Sequence, residues 1–213
     1  MTISVMLDLE TWGKRPGCDI RSIGAVVFDP VAGSVSDDTF YIATNNPILT
    51  RYGGPEETED SRFVGGEFRN CPLHRDPETV QWWSNQSHDA QAAFDNPVDL
   101  RIALIRFGDW LESVLPNCSK GVSSTAIDLK LWANDPHFDV SILAEAYHAV
   151  GLPVVPWHYR APRSMRTVVD LSGLTRDEYV TATVEHHALY DAIAQAGTVC
   201  KCYSRLGLTR DSA

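Results

Sequence analysis

Three runs near the N-terminus have the patterning of strands. Residues 3–9 are almost continuously apolar, SIGAVVFDP at 22–30 is a second apolar run closed by a proline, and DTFYIAT at 38–44 alternates. The gaps between them suit antiparallel connections. The pattern then breaks. Segment 45–75 is rich in Gly, Pro and charge and reads as a long loop with little regular structure, either a flap over a pocket or a dimer arm. Helical spacing follows. DPETVQWWSNQS at 76–87 opens with Asp76 placed as an N-cap and Pro77 in the first turn. Leu100, Leu104, Phe107 and Leu111 share one face of a helix from Val98 to Leu115. Residues 122–133 read as a further strand and its exit, and Asp139 to Val150 as a helix stopped by Gly151 and Pro153. Val184 to Ala196 is the last strong helix, closed by Gly197, with 203–213 as a peripheral tail. This order predicts an α/β chain, a central mixed sheet flanked by helices, in a single domain over 1–213.

Composition narrows the class. A hydrophobic content of 44% and a mean hydropathy of −0.18 suit a soluble globule, and no run approaches the eighteen apolar residues of a membrane span. The N-terminus lacks a positive segment ahead of an apolar one, so no secretory signal is expected. Five scattered cysteines fit the reduced thiols of a cytoplasm better than a disulfide framework. The net charge of −10 argues against salt-driven binding along a nucleic-acid backbone. A partner gripped at one end remains compatible with it, because cations bound to acids reverse the field locally.

Four acids and two histidines carry the candidate chemistry. Asp8 and Glu10 lie two apart in a strand, so both face one side while Leu7 and Leu9 face the other. Two adjacent buried carboxylates repel, and a hard divalent cation between them removes that penalty. On spacing alone, a solvated strand end is the better reading. Asp139 opens an apolar helix, where an N-cap and a metal ligand compete evenly. Asp191 lies in a helix of Ala, Ile and Leu, with His186 and His187 five and four residues before it. Helical spacing puts His187, not His186, on the Asp191 face.

Taken together, these pieces resemble the DEDDh 3′-5′ exonucleases of the ribonuclease H-like fold. Asp8 and Glu10 in LDLET match the first motif, Asp139 in ANDPHFD the second, and His186 with Asp191 in HHALYD the third, over residues 3–197. SIGAV, PETVQWW, PWHYRAPRSMRT and DAIAQA make the chain most similar to the small phage and bacterial type. That type includes the phage exonuclease DexA and a mycobacterial 3′-5′ exoribonuclease. The AND turn departs from the Gly- or His-containing turn of related sequences.

The resemblance implies hydrolysis of single-stranded RNA or DNA from its 3′ end, releasing 5′-nucleoside monophosphates in a bacterial cell or phage-infected host. It implies two Mg²⁺ or Mn²⁺ ions caged by Asp8, Glu10, Asp139 and Asp191, with Asp8 bridging them and His186 as general base. His187 is the runner-up for that role. Leu9, Glu10 and Thr11 are placed to sense the terminal sugar. Trp157 and His158 offer rings for bases, and Arg160, Arg163 and Arg166 offer guanidinium groups for phosphates. Trp157 reads equally well as core. Trp82 and Trp83 are candidates for a wall of the pocket. RNA is slightly preferred over DNA as the substrate, on the mycobacterial member. A homodimer is a common state for such enzymes.

Overall fold

The apolar run at the N-terminus becomes the middle of a sheet. A computed structural model describes residues 2–46, 63–64, 67–68, 73–115, 129–152 and 154–209 of the chain. Three long strands, β1 (Ile3–Thr11), β2 (Ile20–Asp29) and β3 (Ser34–Asn45), form an antiparallel meander. Beyond them come β4 (Phe63–Val64), β5 (Glu67–Phe68), α1 (Pro77–Ser84), α2 (His88–Ala92), β6 (Val98–Asp99) and α3 (Leu100–Val114). The chain continues with β7 (Leu129–Ala133), α4 (Asp139–Ala149), β8 (Pro162–Ser164), α5 (Met165–Ser172) and α6 (Ala188–Arg205). β7 and β8 add in parallel beside β1, and β6 adds in parallel beside β3, giving the order β6-β3-β2-β1-β7-β8. The mixed sheet is the one the sequence predicts.

The period of two along β1 sorts its side chains into two layers. Val5, Leu7 and Leu9 join Phe107, Leu104, Ile142 and Leu143 of α3 and α4 in the larger core. Met6 faces the other way and packs with Val26, Trp132, Val169 and Ala196 under α5 and α6. Asp8 and Glu10 continue that second face, where the strand passes out from under α6.

α6 lies directly on the sheet because of one glycine. Gly24 pairs with Asp8 across β1 and β2, and a Cβ there would overlap the backbone of Ala188 and Leu189. Gly24→Ala is therefore expected to push the N-terminal turn of α6 off the sheet. Overpacking of this kind costs about 1–3 kcal/mol. Urea unfolding reads the loss, and unchanged stability would contradict the close packing.

Several element boundaries differ from those predicted. Asp76 occupies the N-cap position of α1 without capping it; its Oδ2 accepts from the Lys14 N–H at 3.2 Å instead. Asp99 caps α3, which delays that helix by two residues from Val98. α6 starts at Ala188 rather than Val184 and runs on past Gly197, which packs against Val180, to Arg205. Its left-handed terminator is Gly207, φ 67°. The predicted tail is thus partly helix, and Tyr203 sits edge-on to Trp132. Within 45–75, β4 and β5 pair, while Asn46 and Leu73 are buried at its two ends. Residues 47–62, 65–66 and 69–72 of that segment, the first part of the predicted 122–133 strand and the last four residues of the tail lie outside the described residues.

Candidate active site

Three elements and the turn before α6 bring five of the predicted residues together at one end of the sheet. β1 supplies Asp8 and Glu10. The β1–β7 ladder ends at Met6, and Asp139 approaches β1 beyond it. Asp139 is the first residue of α4, whose N-cap is Phe138, so its carboxylate does not cap its own helix. It accepts the Leu9 N–H at 3.1 Å, which fixes it between the two β1 acids. Asp191 comes from the first turn of α6, and ligand atoms of Glu10, His186 and Asp191 all lie within 4.8 Å of one another. Gln195, one turn further along α6, donates its Nε2–H to Asp8 Oδ1 at 2.6 Å.

His186 reaches the cluster because helical spacing does not apply to it. It precedes α6 and has left-handed backbone, φ 61°, uncommon for a residue with a side chain. Its ring meets that of Trp82 edge-to-face, centroids 4.8 Å apart. His187 turns away: it stacks on Tyr41 at 4.3 Å and leans on Tyr190 at 4.5 Å. Burial lowers its pKa.

The carboxylates are poorly tolerated as a set of anions. Asp139 is 3% exposed and Glu10 9%. Burial, followed by repulsion from Asp139, Glu10 and Asp191, raises the Asp8 pKa well above its ordinary value. Burial and then the charges of Asp191 and Asp139 push Glu10 up to about 8. Burial pushes Asp139 up to about 7, against the opposing Leu9 N–H, and raises Asp191 as well. The Glu10 and Asp191 carboxylates face each other within 4.8 Å. Protons therefore do the neutralising when nothing else does. An oxygen-rich set with one imidazole is suited to a hard divalent ion, so the donors fit such a cation.

A pH dependence follows from these shifts. Folded-state values above the ordinary 3.8 and 4.5 mean that the fold holds protons the unfolded chain has released. Metal-free protein is then expected to lose stability as pH rises from about 4 through about 7 and 8. Millimolar Mn²⁺ restores it at the upper end. Melting curves in EDTA and in Mn²⁺ across that range check this, and equal slopes in the two would contradict it.

The predicted substrate residues divide. Leu9 takes part through its N–H, since its side chain is core. Thr11 Oγ1 is turned to the Gly13 carbonyl, 2.7 Å away, and its own carbonyl accepts from Trp83 Nε1. Trp157 is 8% exposed and edge-on to Tyr147 in the main core, so it offers no face to a base. Arg163 Nη1 is bonded to the carbonyls of Arg160, Ala161 and Pro162. Arg160 stays exposed, its Nε on the Tyr159 hydroxyl, and His158 Nδ1 accepts the Arg160 N–H. Arg166 alone of the three arginines meets the acids' neighbourhood, through Asn134 Oδ1 at 3.4 Å and Asp135 at 3.7 Å in the loop before Asp139.

Residues that sequence reasoning missed stand on the β2 side. Arg21 is the extra residue where the β1–β2 register shifts beside Glu10. It is 6% exposed and held over Phe94, Trp83 and Trp12 at 3.5, 4.0 and 4.3 Å. Its charge is the one that opposes the rise at Glu10. Of the Trp82-Trp83 pair, Trp83 packs inward and Trp82 is 43% exposed beside His186.

Among the described residues, no helix is long and apolar enough to cross a membrane. No curated protein matches the chain in sequence. Among solved structures, the zinc-bound E. coli exonuclease I complex with single-stranded DNA is similar over 97% of this chain and 41% of that one, at 12% identity and TM-score 0.61. E. coli exonuclease I with a dT13 oligonucleotide covers 99% of this chain at 13% identity and TM-score 0.55. Cell-death related nuclease 4 (CRN-4) covers 97% of this chain and 65% of its own, at 12% identity and TM-score 0.49. The chain thus spans about two fifths of the length of exonuclease I, with which it shares a ribonuclease H-like α/β fold. The family model described as the 3′-5′ exoribonuclease Rv2179c-like domain matches residues 3–203. Matched over nearly its whole length, this chain belongs to the 3′-5′ exoribonuclease Rv2179c-like domain family.

Proposed function

We propose that this chain is a metal-dependent exonuclease that removes 5′-nucleoside monophosphates from the 3′ end of single-stranded nucleic acid, RNA before DNA. The observation that carries the reading is the convergence of Asp8, Glu10, Asp139 and Asp191 with His186, all from one chain, in a setting that leaves the acids short of positive charge. Four carboxylates match two divalent ions in charge, and Mg²⁺ or Mn²⁺ suits oxygen donors. Bound there, such ions would supply charge neutralisation at the scissile phosphate and acidify an attacking water.

The chain's own residues do the rest. His186 accepts the proton of the attacking water, held toward the acids by its left-handed backbone. Trp82 presents an exposed ring next to His186, where an unpaired terminal base can stack. The net charge of −10 favours contact confined to this end over a long tract. The family description supports RNA. Exonuclease I was solved with single-stranded DNA, which supports an unpaired strand.

Matched 5′-labelled ribo- and deoxyribo-oligonucleotides test the sugar preference. RNA shortens faster on this reading, and equal or faster loss of DNA overturns the preference. Trp82→Ala is expected to raise the KM for the oligonucleotide by about 5- to 100-fold, from about 1–3 kcal/mol of lost stacking. An unchanged KM would remove Trp82 from the substrate site.

A further inference from the structure

Gln195 is the α6 side chain that hydrogen-bonds Asp8, and it lies in the DAIAQA stretch with no role of its own assigned. It follows Asp191 by four residues, so both stand on the same helix face. That face is otherwise small: Ala188, Ala192 and Ala196 are fully buried against the sheet. With Gly24 bare beneath Ala188, the helix comes close enough for Gln195 Nε2 to reach Asp8 Oδ1 at 2.6 Å. The bond holds the Asp8 carboxylate by one of its two oxygens. The Gln195 Oε1 atom is buried and has no hydrogen-bond partner. A buried acceptor left open is costly unless a donor arrives. The cluster's ligand, entering with its water, is a source of one.

We propose that Gln195 is a positioning residue that sets Asp8 for cation binding, acting from outside the ligand set. The inference rests on the reading of the acids as a cation site. A carboxylate fixed by a neighbour in this way binds metal more tightly than a free one, and losing such a partner typically costs about 10- to 100-fold in affinity.

The test is Mn²⁺ titration calorimetry on the wild type, Gln195→Met and Gln195→Leu, with melting in EDTA alongside. Met keeps the side-chain length and Leu is a second apolar replacement, should either fold poorly. The expected result is a Mn²⁺ affinity about 10-fold or more weaker in both. Melting in EDTA stays within a few degrees of wild type or rises, because the lost Nε2–H bond to Asp8 is offset by removal of the buried Oε1 atom that had no partner. In activity assays, the Mn²⁺ concentration for half-maximal rate rises by the same factor, and the KM for oligonucleotide at saturating Mn²⁺ is unchanged. Wild-type affinity in both variants overturns the proposal while leaving the cation site standing. A weaker affinity that tracks a collapse of the metal-free melt also overturns it, assigning Gln195 to packing. Absence of Mn²⁺ binding by the wild type overturns the cation site itself, and the inference with it.

Discussion

Glu10→Gln is expected to lose about 10³-fold in exonuclease rate and yet to melt at a higher temperature than the wild type in EDTA. The two effects have one cause. Glu10 is 9% exposed, faces Asp191 and Asp139, and keeps its proton up to about pH 8. In metal-free protein above that pH, it is a fourth anion with only Arg21 to offset it. The amide has the same shape without the charge, so the fold gains. The gain is largest at pH 8 and above and vanishes below about pH 4, where Glu10 becomes neutral in the unfolded chain as well. In the reaction the same charge is needed to hold a cation, whose contribution to the transition state is worth several kcal/mol, or about 10³-fold. Single-turnover rates in Mn²⁺ and melting curves in EDTA at pH 5 and pH 8.5 measure both. A variant that is inactive and less stable at pH 8.5 would show that Glu10 has an ordinary structural role.

His186→Asn is expected to lower kcat by about 10²–10⁴-fold, the range for removal of a positioned general base. Asn tolerates the left-handed backbone that His186 adopts, so the loss reads the imidazole and not strain. His187→Ala is the contrast. Its ring is sandwiched by Tyr41 and Tyr190, away from the acids. Removing it is expected to cost about 1–2 kcal/mol of stability through lost aromatic packing, with kcat within about tenfold of wild type. Steady-state kinetics with urea unfolding on both variants separates the roles. A kcat lost in His187→Ala and kept in His186→Asn would reverse the assignment.

The contrast between the histidines also shows what was legible in the sequence. The period of two in VMLDLET placed Asp8 and Glu10 on one face, and that survives because strand geometry leaves little freedom. Helical counting favoured His187, and it failed because α6 begins only at Ala188. Nothing local marks His186 as the residue that takes the positive φ. For Asp139, a cap and a ligand share one sequence signature, and only the tertiary approach of Leu9 N–H separates them. Trp157 and the arginines around it had the composition of a binding strip, but composition does not say which ring packs inward. Gly197 looked like a helix end, yet it is a contact for Val180, with the true terminator ten residues on. Arg21 and Gln195 were invisible for a common reason. Each works by reaching across to another element, β1 in both cases, and no local spacing announces that reach.

The central claim is that these acids serve a metal-dependent reaction at a 3′ end. The most direct measurement is a time course on single-stranded RNA labelled at its 5′ end, with a free or a blocked 3′ hydroxyl, in Mn²⁺ and in EDTA. The account predicts a ladder that shortens one nucleotide at a time from the free 3′ end, with 5′-monophosphates released. It predicts no shortening of the blocked strand, in EDTA, or with Asp8→Ala. Internal cuts, shortening in EDTA, or full activity in Asp8→Ala would contradict it.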